Sequence, residues 1–363
     1  MKRMKWVEMN PEDSITTKVI YVKLTNRCNL VCDHCYNAVC HDQGQMPVKT
    51  LQKILDYIYD LKEQGYDVDV ALHGGEPMMY RDKDALWEFV TACNEMNVSI
   101  TATTNLTYKV DDEDIALFNK FRQADGEPLV LTSWDHKIRF KPPSLENTWR
   151  TNVKRILKEE IGVQPIVSLT KLLLEEKTPA DIFEYMNALG VHHLNFERLT
   201  CTGRAAENES ELMPTNEQVD DWLCEAYKLW KDKYKHIYVP LLDALEWAAW
   251  EGKYIGCRAR QCARTVRTFN PDGTMATCPN MPKDTVGNIK KIKSVEEVGS
   301  VIEGNKKYKK IVDAERIRNN KCYSCEFYSI CNGDCFQLRW DDTGCPGLKK
   351  TIVEVLKHQD LED

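Results

Sequence analysis

Six short apolar runs alternate with helix-period segments between Lys18 and about Leu199, and that alternation limits what the chain can fold into more than any other feature. The runs, rich in β-branched residues, are Val19–Leu24, Val68–Leu72, Val98–Thr103, Leu129–Thr132, Pro165–Leu169 and His193–Glu197. Between the first two, Leu51, Ile54, Leu55, Ile58 and Leu61 follow Pro47 at i, i+3, i+4 spacing. Similar stripes mark Asp84–Cys93, Asp112–Phe121, Leu145–Leu157 and Ala180–Leu189. Each unit takes about 30 residues or more, as a right-handed βαβ crossover requires. Six units fall short of closure, so the pattern predicts an α/β fold, an open (βα)6 partial TIM barrel with its chemistry at the C-terminal ends of the strands.

Two amphipathic helices are expected next, roughly Thr215–Lys233 and Leu241–Trp250, and they read as a bridge. Beyond Gly252 the periodicity breaks into turns such as Asn270-Pro-Asp-Gly273 and Cys345-Pro-Gly347 interleaved with cysteines, as expected where metal ligation substitutes for an apolar core. The expected boundaries are 1–203 for the barrel, 204–256 for the helical bridge and 257–363 for a small Cys-rich C-terminal domain.

Lys plus Arg number 49 against 56 for Asp plus Glu, so nothing in the charge balance favours a nucleic-acid partner. The basic run Lys306, Lys307, Lys309, Lys310 reads as a solvated helix face. The N-terminal stretch lacks a signal-peptide core and no window approaches a membrane span, which predicts a cytoplasmic protein with no membrane partner. In that reducing compartment 15 cysteines argue against a disulfide framework. Cys28, Cys32, Cys35 and Cys40 fall together, Cys93, Cys201 and Cys224 are scattered, and the last eight lie between Cys257 and Cys345. Cys93 and Cys224 are expected as small core residues, and Cys201 lies near the presumed barrel mouth.

Directly after the first strand comes Cys28-Asn-Leu-Val-Cys32-Asp-His-Cys35-Tyr36. Three thiolates so spaced can grip one face of an iron–sulfur cube and leave its fourth iron without a protein ligand. A zinc knuckle with His34 as fourth ligand is the alternative. At the end of the second strand lies His73-Gly74-Gly75-Glu76-Pro77, a turn that places a carboxylate where an ammonium could sit. Together these motifs resemble the radical S-adenosylmethionine (SAM) superfamily. The resemblance implies that the open iron chelates the amino and carboxylate groups of SAM and that Gly74, Gly75, Glu76 and Pro77 hold its methionine amine. It also implies contacts to the ribose and carboxylate of SAM from Asn105, ending strand three, and from Ser133 and Asp135, ending strand four. The family usually has an aromatic residue before the third cysteine; here His34 precedes it and Tyr36 follows.

The C-terminal cysteines read Cys257-x4-Cys262-x10-Gly273-x4-Cys278, then Cys322-x2-Cys325-x5-Cys331-x3-Cys335, then Cys345. This spacing resembles the SPASM extension of radical SAM enzymes, and eight thiolates suffice to ligate two [4Fe–4S] clusters completely. The family's crossed connectivity would put Cys257, Cys262, Cys278 and Cys335 on one cluster and Cys322, Cys325, Cys331 and Cys345 on the other. Paired zinc sites have the same ligand chemistry, and spacing alone does not say which set holds which cluster.

The expected cofactors are therefore three [4Fe–4S] clusters and SAM. The resemblance implies an oxidoreductase that generates a 5′-deoxyadenosyl radical, abstracts hydrogen from a substrate carbon and completes a net oxidation, such as a crosslink or other modification of a ribosomal peptide. Oxidation or epimerisation of a small molecule is the alternative. Formylglycine-forming sulfatase maturation is disfavoured, because maturases have Asp after the cysteine corresponding to Cys278, where this chain has Pro279 and Asn280. A non-enzymatic iron–sulfur protein would leave the open three-cysteine site and the GGEP turn unexplained. The expected partners are a low-potential electron donor such as flavodoxin or ferredoxin and a peptide or small-molecule substrate. Only about 17 residues precede strand one, fewer than the roughly 50 a leader-binding domain takes, so a peptide is expected to be recognised directly or through a separate leader-peptide-binding protein.

Overall fold

The computed structural model describes residues 15–37, 44–123, 126–254 and 256–362; Cys40 and the N-terminal stretch read for targeting lie outside the described residues. The six expected strands form: β1 (Thr17–Thr25), β2 (Asp67–Gly74), β3 (Ser99–Thr104), β4 (Leu129–Trp134), β5 (Gly162–Leu169) and β6 (Asn195–Arg198). They lie side by side in chain order, and every neighbouring pair is parallel. Helices Val48–Glu63, Lys83–Glu95, Asp112–Phe118, Pro143–Lys158 and Pro179–Ala188 make the crossovers, the last joined by a short preceding helix, Lys171–Glu176. In the first, Leu51, Ile54, Ile58 and Leu61 are the buried stripe that the i, i+3, i+4 spacing predicts. Strand β6 starts two residues later than expected, and His193 instead makes an isolated bridge to Tyr238.

One difference from the expected architecture lies beyond Gly252. There β7 (Val266–Phe269) adds to the free edge of β1 as a seventh parallel strand, and β8 (Thr274–Ala276) and β9 (Thr285–Asn288) continue the sheet antiparallel. The Asn270–Gly273 turn joins β7 to β8, closed by a Gly273 N–H···O=C Asn270 bond of 2.8 Å with Gly273 at φ +84°. Phe269, Met275, Val286, Ile289, Ile302 and Ile352 join the same apolar core as Ile20 and Leu72 of the barrel. Ligation therefore does not replace an apolar core throughout this region. Strands of three or four residues are too short to show a period-2 signature in sequence. Helix Lys349–Glu362 packs on Asn216–Leu229 and Pro240–Trp250, the two helices expected after Gly203.

Parallel sheets are usually covered on both faces and read as unbroken apolar runs. Here alternate residues differ sharply. Val22, Leu72, Ala102, Thr132 and Phe196 are sealed under the helices, whereas Tyr21, His73, Thr103, Ser133 and Glu197 on the concave face are reached by solvent. The register pairs Lys23 with His73 and Ser168 with Glu197, so these polar side chains share that face near the C-terminal ends of the strands. The result is a half-open barrel with a polar interior that solvent reaches.

Candidate active site

The three-cysteine loop leaves β1 at Thr25 and is clamped from three sides. From β2, the amides of Gly75 and Glu76 donate to the carbonyls of Thr25 and Arg27, both at 2.7 Å. A Cβ on Gly74 would stand 2.3 Å from Thr25 O and one on Gly75 2.2 Å from Arg27 O, so the glycines are there for backbone approach. After β6, Gly203 (φ +56°) lies against the loop where a Cβ would stand 2.5 Å from Cys35 O, and Arg204 N donates to that carbonyl at 3.1 Å. After β4, Lys141 pairs with Asp33 at 2.6 Å, Asp135 Oδ1 lies 3.5 Å from His34 Nε2, and Ile138 packs with Cys32.

The expected SAM-binding residues fall into two groups around this loop. Glu76, 1% exposed, accepts from Asn105 N at 2.7 Å and Met78 N at 3.1 Å. Burial raises its pKa to about 7 in spite of those bonds and of the Thr104 hydroxyl. Asn105 joins Glu76 to the cysteines: its Nδ2 donates to Asn29 Oδ1 at 2.8 Å and lies 3.8 Å from Cys28 Sγ. Asp135 sits on the other flank, fully buried and bound to Arg139 Nε at 2.6 Å. Burial alone would raise its pKa, but Arg139 and His34 hold it below the usual carboxylate range. Ser133 lies in β4 on the concave face, two residues before Asp135. Gly74–Pro77 and Asn105 thus converge on Cys28, whereas Asp135 is committed to an ion pair beside Cys32.

Within the barrel the Tyr36 hydroxyl is 2.9 Å from His73 Nδ1, and the Tyr21 ring meets His73 edge-on. Burial and the Lys23 charge push the His73 pKa down to about 3, so the imidazole is neutral. Lys23, fully buried, donates to Asn37 Oδ1 at 3.1 Å and to the carbonyl of Pro279 at 2.8 Å, tying the first cysteine loop to the residue after Cys278. Glu197 is open to solvent yet closely surrounded by protein; burial among those atoms raises its pKa, and it acts electrostatically on Tyr21, Tyr36 and Cys257.

The C-terminal thiols assemble across long sequence gaps. Cys257 shares hydrogen bonds with Cys262 and Cys335, and Cys335 in turn lies in the field of Cys278. Cys322 is raised by burial and then by Cys345 and Cys325. Cys331 and Cys345 face one glycine: a Cβ on Gly347 would stand 2.8 and 3.5 Å from their Sγ atoms. Between the two groups and the barrel lies a buried ion network. Arg198 at the end of β6 binds Asp334 with both Nη atoms, at 3.0 and 2.6 Å, and Arg258 binds it at 2.8 Å. Burial would raise the Asp334 pKa, but the two guanidiniums hold it at about 2.

The donor chemistry fits iron–sulfur ligation. Burial raises the pKa values of Cys32, Cys278 and Cys331 to about 11, so these thiols ionise only when a cation replaces the proton. Among the described residues no three His, Cys, Asp or Glu side chains converge on a point suited to one metal ion. Thiols of a cube each bind a different iron, so such convergence is not required of them. His34, the fourth ligand of the zinc alternative, directs Nε2 at Asp135. Sequence reading missed Arg139, Gly203, Glu197 and the Arg198–Asp334–Arg258 network. Of these only Glu197 left a signal, as a polar residue on the concave-facing phase of β6. Cys93 is buried on its helix as expected, but Cys224 is only half-buried, its thiol 3.7 Å from Lys350 O at a helix seam. Cys201 is buried beside a cleft of about 300 Å³ between the β6 loop and residues 337–348.

A family model described as the Radical SAM superfamily matches residues 22–125. An uncharacterized protein of Methanocaldococcus jannaschii is 27% identical over 194 residues, 50% of this chain and 63% of that protein, so the match spans less than two thirds of that relative. The AdoMet-dependent heme synthase of Methanosarcina barkeri is 23% identical over 337 residues, covering 87% of this chain and 90% of the synthase. Among solved structures, anSMEcpe with bound AdoMet and Cp18Cys peptide superposes with TM-score 0.74 at 15% identity, covering 95% of this chain and 97% of that one. Streptococcus suis SuiB bound to precursor peptide SuiA gives TM-score 0.61 at 15% identity over 88% and 72%. Among the described residues no helix is long and apolar enough to cross a membrane. Residues 22–125 thus match the radical SAM superfamily, and the chain as a whole shares the fold of anSMEcpe, a partial barrel followed by a C-terminal extension.

Proposed function

We propose that this protein is a radical SAM oxidoreductase that modifies a peptide by a net two-electron oxidation. The observation that carries this reading is a loop with three thiols, Cys28, Cys32 and Cys35, clamped beneath a buried Glu76 at the rim of a polar, solvent-reached barrel. Those three thiols would hold a [4Fe–4S] cluster, and the two C-terminal sets would hold one each, which would supply the acceptor for the second electron of the oxidation. When bound, the first cluster and SAM together supply a 5′-deoxyadenosyl radical that removes hydrogen from carbon. The residues of the chain provide everything around that chemistry. Glu76 offers a carboxylate to the SAM ammonium, and burial raises its pKa to about 7 despite the charge of Arg139. Neutral His73 and Tyr36 line the wall without presenting a charge to a radical. Glu197 is the carboxylate facing the barrel between the two cysteine regions, and it accepts the proton lost when the substrate is oxidised. Pro279 stands where maturases carry their Asp and offers no carboxylate there, and its carbonyl accepts from Lys23. A low-potential donor such as flavodoxin or ferredoxin would supply the first electron.

Peptides bound to anSMEcpe and SuiB support the substrate class. A small-molecule substrate is the second reading, favoured by the nearly full-length match to the heme synthase. The test is anaerobic reconstitution followed by SAM and dithionite. Wild-type protein should release 5′-deoxyadenosine, and Cys28→Ala/Cys32→Ala/Cys35→Ala should release none. An iron-loaded wild type that yields no 5′-deoxyadenosine would overturn the proposal.

A further inference from the structure

The segment from Asp135 to Lys141 touches the cysteine loop at successive points, through Asp135 to His34, Ile138 to Cys32 and Lys141 to Asp33. Arg139 stands within that contact. Its Nε is fixed by Asp135 at 2.6 Å, and the turn is closed by Arg139 N donating to Asp135 O at 3.3 Å. Asp135 Oδ1 also lies 3.5 Å from His34 Nε2, and the Ser168 hydroxyl on β5 acts on the same carboxylate. The guanidinium side chain is 13% exposed, and the charges that act on it most strongly in its favour are those of Cys32 and Asp135, followed by Cys35. Reciprocally, Arg139 is the strongest charge acting on Cys32, ahead of Asp135 and the other two cysteines. A buried cation therefore stands next to Ile138, which packs on Cys32, and is tied by one carboxylate, Asp135, to the face of the cysteine loop that carries His34.

We propose that Arg139 is a positioning residue that sets the reduction potential of the cluster held by Cys28, Cys32 and Cys35, with Asp135 as its counterweight. This rests on the reading that those cysteines carry a cluster. Reduction adds one electron, supplied by the external donor, and so one negative charge; a neighbouring cation favours the reduced state and raises the potential, while a neighbouring anion lowers it. Low local dielectric makes both effects larger than at an exposed site.

The test is an EPR-monitored redox titration of the anaerobically reconstituted holoenzyme, following the signal that changes on adding SAM. Arg139→Gln should move that potential to a more negative value, Asp135→Asn should move it the opposite way, and Arg139→Lys should restore most of the wild-type value. Signals that do not respond to SAM should keep their potentials in all three. Opposite signs are required, because loss of a purely structural ion pair would perturb the loop similarly from either side. Unchanged potential in an iron-replete Arg139→Gln, or shifts of the same sign in both variants, would overturn the proposal. Weaker SAM binding in Arg139→Gln with no change in potential would also overturn it and make Arg139 a SAM ligand. If Arg139→Gln loses its cluster, Asp135→Asn and Arg139→Lys still decide the matter. A wild type with no SAM-responsive signal would instead contradict the cluster assignment itself.

Discussion

The two cysteine regions are built in opposite ways. The first loop is short in sequence and is fastened by the frame of the barrel: the Gly74–Gly75 turn, Asn105, the Asp135–Arg139 pair and Gly203 each reach it from a different strand end. The C-terminal thiols come from points as far apart as Cys257 and Cys345 and are gathered by turns, by Gly347 and by a buried Arg198–Asp334–Arg258 network. On the proposed assignment, three thiols in a rigid wall would leave one coordination position open toward the barrel, whereas two sets of four in a loop-rich region would close their clusters and let the metal hold the loops. Openness goes with rigidity here, and closure goes with dependence on the ligand.

The largest effect expected is that of removing the first set. Replacing Cys28, Cys32 and Cys35 by Ala should abolish SAM cleavage and lower iron from about twelve to about eight per chain. Iron and sulfide analysis checks this, and loss of all iron would show that the two regions are not independent. Gly203→Ala should come next, because its Cβ would meet Cys35 O at 2.5 Å at a φ of +56°. The variant should lose the first cluster selectively, again read by iron content. Arg198→Met would leave Asp334 buried with only Arg258 and should cost about 3 kcal/mol of stability. Denaturant titration of the holoprotein measures it, and a change below about 0.5 kcal/mol would mean that the network does not fasten the two regions.

A smaller effect follows from Glu76. Its folded pKa of about 7 lies above the usual carboxylate value, so its proton must leave before the carboxylate can pair with an ammonium. SAM affinity should be flat above about pH 7 and fall by up to about tenfold per unit below it. Calorimetric binding at several pH values checks this, and Glu76→Gln should bind more weakly with that dependence removed. By the same sign, ionising Glu76 in the protein without SAM costs stability as pH rises toward 7. The effect confined to the step after SAM cleavage is that of Cys322→Ala/Cys325→Ala, which should leave 5′-deoxyadenosine formation unchanged while losing the oxidised product.

The frame was readable because its signals are local. Leu51, Ile54, Ile58 and Leu61 announce a helix, and the loop of three cysteines after β1 announces its own chemistry. The alternation Val68-Asp69-Val70 and Ile100-Thr101-Ala102-Thr103 in β2 and β3 also encodes a solvent-reached concave face, a signal that apolar counting alone passes over. What stayed hidden depends on pairs distant in the chain. Arg198 and Asp334 are 136 residues apart, and Gly203 matters only because the chain returns to Cys35. Strands β7 to β9 were too short to register. The grouping of Cys257 with Cys335 was available only through the family's spacing.

The contrast between an open and two closed sites is tested most directly by EPR of the dithionite-reduced holoenzyme with and without SAM. One signal should shift on adding SAM and be absent from Cys28→Ala/Cys32→Ala/Cys35→Ala, while the remaining signals stay unchanged in both. A SAM-induced shift that survives in the triple variant, or one that disappears in Cys322→Ala/Cys325→Ala, would place the open iron in the C-terminal region and contradict the assignment.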